Sequence, residues 1–154
     1  MSIAFPVSSS AVDYQIFSDT SSGGIWIYSA STNSWKSIDR NIYDFSGGVP
    51  GVPTANQVVA LIDIARPVVF AANFAGSFWQ CNTAATAQTI FTININGTSI
   101  GSIIFAASSK TATFTSVATG STVINAGSVL TIVAPATPDA TLANASGTLA
   151  GYLL

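Results

Sequence analysis

The chain has 154 residues, of which 49% are hydrophobic and 6% charged, with a net charge of −2. Its ionic groups are Lys36, Arg40, Arg66 and Lys110 against Asp13, Asp19, Asp39, Asp44, Asp63 and Asp139, with no Glu and no His. That inventory excludes a nucleophile–His centre and a basic stripe for nucleic acid, and the apolar content excludes a disordered chain.

Residues 1–40 are Ser-rich and aromatic. Within them Ile25-Trp26-Ile27-Tyr28 and Trp35-Lys36-Ser37-Ile38 predict two short strands around the polar turn from Ser29 to Ser34. Period-two spacing puts Trp26 and Tyr28 on one face and Ile25 and Ile27 on the other. A lone hairpin is marginal in water, so its aromatic face is expected to pack on the downstream domain or on a neighbouring copy.

Residues 41–67 form a linker and lead-in. Gly47-Gly48-Val49-Pro50-Gly51-Val52-Pro53 blocks both helix and interior strand, which predicts an extended connection. From Thr54 to Leu61 either a helical turn capped by Thr54 or a strand is open, since Val58, Val59 and Ile62 are β-branched. The apolar run over residues 60–72 is broken by Asp63, Arg66 and Pro67, so no membrane insertion is expected.

Residues 68–154 predict an antiparallel β-sandwich, jelly-roll-like, so the fold class is all-β. Its firmest element is the hairpin around Asn96-Gly97, a pair suited to the positive φ of a type I′ turn. That turn sets Ile95 opposite Thr98 and Ile93 opposite Ile100, with a bulge at Gly101 where the apolar parity flips. Further strands are expected at residues 111–116, 128–133 and 148–153, separated by Ser108-Ser109-Lys110, Ala126-Gly127 and the turn from Pro135 to Asp139.

These last segments carry a resemblance. Phe91-Thr92-Ile93-Asn94-Ile95-Asn96-Gly97-Thr98-Ser99-Ile100-Gly101, then Ile103-Ile104-Phe105-Ala106, resembles small β-sandwich modules of bacteriophage tail and virion proteins. The run from Ala126-Gly127-Ser128-Val129-Leu130 through Pro138-Asp139-Ala140-Thr141-Leu142 is similar to the same family, as is Ser146-Gly147-Thr148-Leu149-Ala150-Gly151. Family members usually carry Asp where this chain has Ser128, a departure that removes a turn carboxylate. Ser18-Asp19-Thr20-Ser21-Ser22-Gly23, with Ile25-Trp26-Ile27-Tyr28 and Trp35, is similar to hairpin repeats of phage tail fibres. That likeness implies a homotrimer.

Candidate chemistry is sparse. Asp39 and Asp44, the one close pair of acids, suit solvated or turn-capping roles better than paired-carboxylate hydrolysis. A Ca²⁺ site at Asp139 would need Asn or backbone oxygens nearby, so neither metal nor cofactor is expected. Cys81 is the single cysteine and suits a small buried position. The candidate interaction residues are Trp26, Tyr28, Trp35 and Trp79, which suit interface anchors or sugar stacking. Asp63 and Arg66, three apart, are candidates for an ion pair within or between subunits.

The expected function is that of a non-enzymatic virion structural protein, first as a tail-fibre or tail-tip component. A capsid decoration (cement) protein and a host-glycan-binding module are the rivals. The weakly charged surface, with little repulsion between copies, points to a homo-oligomer, and the resemblance implies other virion proteins as partners. Residues 1–7 carry no basic stretch or apolar run that would make a signal peptide, and the expected location is the virion, assembled in the bacterial host cytoplasm.

Overall fold

The computed structural model describes residues 5–6, 11–18, 24–37 and 42–154. Ile16–Ser18 (β1), Ile25–Ser29 (β2) and Ser34–Ser37 (β3) come first, followed by Phe45–Val49 (β4), Val58–Asp63 (β5), Val68–Phe70 (β6) and Phe78–Gln80 (β7). Thr89–Ile95 (β8), Thr98–Phe105 (β9), Thr113–Ser116 (β10), Thr122–Ile124 (β11), Val129–Val133 (β12), Ala145–Leu149 (β13) and Gly151–Leu153 (β14) complete the order. The sheets run β1-β2-β3, β10-β9-β8-β12-β5, β11-β6-β14 and β4-β13-β7, and all the strand pairings are antiparallel. Among the described residues no helix is long and apolar enough to cross a membrane.

The all-β, antiparallel, sandwich-like class expected from the alternating pattern is what the chain adopts. One core joins the five-stranded sheet to two three-stranded sheets. Phe91, Ile93, Ile103, Phe105, Leu130 and Ile132 meet Phe45, Val68, Phe70, Trp79 and Leu149. Each is an inward position of an alternating strand, and burying such side chains contributes about 1.5–3 kcal/mol apiece.

The Asn96-Gly97 turn forms as expected, with φ of 50° and 80°. Ile95 pairs with Thr98, but Ile93 pairs with Gly101 rather than Ile100, because the register shifts between Ile93 and Asn94. The bulge thus falls one residue before Gly101. Gly101 itself is needed for packing, since a Cβ there would lie 2.4 Å from both the Phe74 ring and the Thr115 carbonyl oxygen. The final expected strand divides at Ala150 into β13 and β14, which serve two different sheets.

Before residue 68 the structure corrects the linker expectation and settles the choice left open after Thr54. The Gly/Pro segment read as a linker contains β4, which pairs along its whole length with β13. Gly47 and Gly48 do not break this strand because the sheet leaves no room for side chains there. A Cβ on Gly47 would stand 2.8 Å from Ala60 Cβ, and one on Gly48 2.8 Å from Ser146 Cβ. Residues 58–63 are strand, not helix, and β5 pairs with β12 as its β-branched residues favour.

The N-terminal hairpin is really a three-stranded sheet, with β1 added beside β2. Its aliphatic face, not its aromatic one, packs on the sandwich. Ile27 and Val69 are both buried, flanked by Tyr14, Ile25, Val123 and Tyr152. This sheet is a third layer over β11-β6-β14. Covered on both sides, β6 buries all three of its residues.

Candidate functional site

Trp26, Tyr28 and Trp35 are brought together on the free face of the N-terminal sheet. Cross-strand pairing places Tyr28 opposite Trp35 and Phe17 opposite Trp26. Phe5 completes the group, stacking on Trp35 at 5.7 Å between centroids and meeting Trp26 edge-on at 5.3 Å. Phe17 lies 5.8 Å from Trp35. Such tilted and edge-on arrangements suit the ring quadrupoles. Tyr28 is buried, its hydroxyl donates to Asn33 Oδ1 at 2.7 Å, and its ring lies 5.4 Å from Trp35 between centroids, so it anchors one side of the group. Trp26 and Trp35 are half-buried, and Phe5 is exposed.

The sequence pattern missed Phe5 and Phe17. Phe17 was legible from Ile16-Phe17-Ser18 as a short strand, whereas nothing local ties Phe5 to the rings it touches. The Asp-Thr turn of the fibre-like motif, with Asp39 and Arg40, lies outside the described residues.

Trp79 does not belong to this group. It is fully buried, and its indole lies over Gly147 and Gly47 on the inner face of the β4-β13-β7 sheet. It also contacts Phe91 at 6.1 Å. As a surface contact, Trp79 is therefore ruled out. Asp63 and Arg66 are both exposed at and just beyond the end of β5, where an ion pair would contribute little. Cys81 is buried as expected, and burial pushes its thiol pKa up, away from the reactive thiolate.

Asp139 has a different role from the weak cation ligand considered above. One carboxylate oxygen accepts from Thr141 Oγ1 at 2.6 Å, Thr141 N at 2.8 Å and Leu142 N at 3.2 Å. The other accepts from Thr86 Oγ1 at 2.7 Å, Ala87 N at 2.9 Å and Thr86 N at 3.1 Å. Six donors occupy the carboxylate and tie two loops together, leaving it a poor cation ligand. Among the described residues no group of three or more His, Cys or acidic side chains is placed to hold a metal.

The Thr141 hydroxyl, then the Thr86 hydroxyl, then the Thr141 and Ala87 N–H groups hold the Asp139 carboxyl far below the usual carboxylate range. A depressed folded pKa stabilises the fold above the unfolded value, near pH 4, and that stabilisation is lost as pH falls below it. Asp139→Asn is therefore expected to lower the denaturation midpoint at pH 7. The gap to the wild type should narrow toward pH 2.5, and a gap independent of pH would show that the carboxylate charge is not what holds the loops.

Beside the contact of Ile27 with Val69, a cleft of about 300 Å³ is lined by residues of both the N-terminal sheet and the sandwich, among them Tyr14, Ile27, Lys36, Val123, Asn125 and Leu153. Compared with known proteins, the chain matches no family model, no curated protein and no solved structure.

Proposed function

We propose that this chain is a non-enzymatic structural protein of a bacteriophage particle, held in a tail fibre or tail tip. The resemblance of residues 68–154 to virion sandwich modules supports the virion part. The observation that carries the attachment role is the two-sidedness of the N-terminal sheet. Its Ile27 face is docked on Val69, while Phe5, Phe17, Trp26 and Trp35 gather on the opposite face. Aromatic groups of this kind, half-exposed and already packed together, lose little side-chain freedom on binding and act as interface anchors.

In this reading the sandwich is the rigid knob and the aromatic face meets a neighbouring subunit or shaft, with a homotrimer as the preferred assembly. Contact through apolar area and not charge makes the assembly insensitive to moderate salt. Gold-labelled antibody against the chain is expected to decorate the tails of purified particles. Labelling of the heads would transfer the role to capsid decoration. Absence of the chain from particles by mass spectrometry would end the virion assignment.

A further inference from the structure

We infer that the outer face of the β4-β13-β7 sheet is a binding platform for a neutral oligosaccharide, with Phe78 as its stacking ring. Strand alternation turns Trp79 inward and therefore Phe78 and Gln80 outward. Phe78 is 53% exposed on the surface of an otherwise well-packed sheet. The register sets Phe78 beside Thr148 and Thr148 beside Ser46, with Ser46 and Thr148 hydroxyls 3.1 Å apart. The next row runs Gln80, Ser146, Gly48. Gly48 keeps this corner low, because a Cβ there would press on Ser146.

The result is a sheet face that presents one ring, hydroxyls and a carboxamide. A pyranose has the complementary chemistry: a C–H face that packs on an aromatic ring, and hydroxyls that both donate and accept. Asp44 is exposed immediately before β4, an acid at the margin of this sheet, and no Lys or Arg stands on these strands. A carboxylate accepts from sugar hydroxyls but repels anionic ligands, so the charge pattern selects neutral glycans over uronic or sialic acids. The inference stands apart from the virion assignment and does not need it.

The test uses the full chain in affinity electrophoresis through soluble neutral polysaccharides (a β-glucan, a mannan, a galactan, a dextran), with polygalacturonate as the anionic control. Retardation by at least one neutral polymer is expected, and Phe78→Ala should weaken it about tenfold. Because Phe78 is exposed, its melting temperature should stay at the wild-type value, and Trp26→Ala should leave binding intact. Backbone amide shifts on titration should centre on Phe78, Gln80, Ser146 and Thr148. No retardation by any neutral polymer overturns the inference. So does retention that survives Phe78→Ala, that is lost instead with Trp26→Ala, or that occurs only with polygalacturonate.

Discussion

Trp79→Ala is expected to cost about 3–5 kcal/mol, the range for truncating a fully buried large aromatic. For a domain of this size that lowers the melting temperature by roughly 10 °C. Trp79 is fully buried, and its indole fills the space over Gly147 and Gly47 while reaching Phe91 on the facing sheet. Its removal opens a cavity that neither glycine can fill. The indole Nε1 is buried without a hydrogen-bond partner, so its deletion relieves one small penalty within that total. Urea unfolding followed by circular dichroism measures the effect. A loss below about 1 kcal/mol would mean that the indole is not the wedge between the sheets described above.

Gly147→Ala tests the other half of the same contact. A Cβ at this position would stand 2.2 Å from the Phe78 carbonyl oxygen and 2.4 Å from Trp79 Cδ1. The carbonyl belongs to the neighbouring strand and cannot swing aside, so β7 must separate from β13 or the indole must tilt. Overpacking of this kind costs about 1–3 kcal/mol, and more where backbone must move. Combined with Trp79→Ala, the alanine should cost less than it does alone, because one of the two clashes has gone. A double-mutant cycle reads that coupling directly. Strict additivity would show that the carbonyl contact alone sets the cost.

The alternating apolar residues of β8, β9 and β12 and the Asn96-Gly97 turn were legible because local chemistry decides them. The pairing of Ile93 with Gly101 was not, since a bulge shifts by one residue without altering the pattern that announces it. Gly47 and Gly48 misled for a physical reason. Glycine signals a loop when its freedom is used, but here it serves close packing of sheets, which only the distant partners Ala60 and Ser146 reveal.

The aromatic residues show the same limit. Period two correctly divided Trp26 and Tyr28 from Ile25 and Ile27, yet it could not say which face meets the sandwich. Val69 decides that, through a three-residue strand buried on both sides. Trp79 and Phe78 are adjacent in sequence, and the larger ring drew attention as the surface candidate. The sheet gives the inner side to the indole and the outer side to the phenyl, because only the inner side has two glycines to receive it. Asp139 was visible as a turn residue, but its donors Thr86 and Ala87 come from a loop more than fifty positions earlier.

Three asparagines with positive φ also hold loops in place. Asn73 Oδ1 accepts from Ser116 N at 3.0 Å, Asn96 Oδ1 from Val129 N at 2.8 Å and Asn144 Oδ1 from Gly51 N at 2.7 Å. Each turn is thereby tied to a distant strand end or turn, and cutting or lengthening it would also release that partner. Val117 N–H still donates to the Ile100 carbonyl at 2.9 Å and the Ala118 carbonyl accepts from Ser116 Oγ at 2.6 Å, but Thr119 and Gly120 beyond them carry no such tie, are exposed, and have open space around Gly120. For display of a foreign peptide, or for opening the chain to make new termini, the bond between Thr119 and Gly120 is the place to cut.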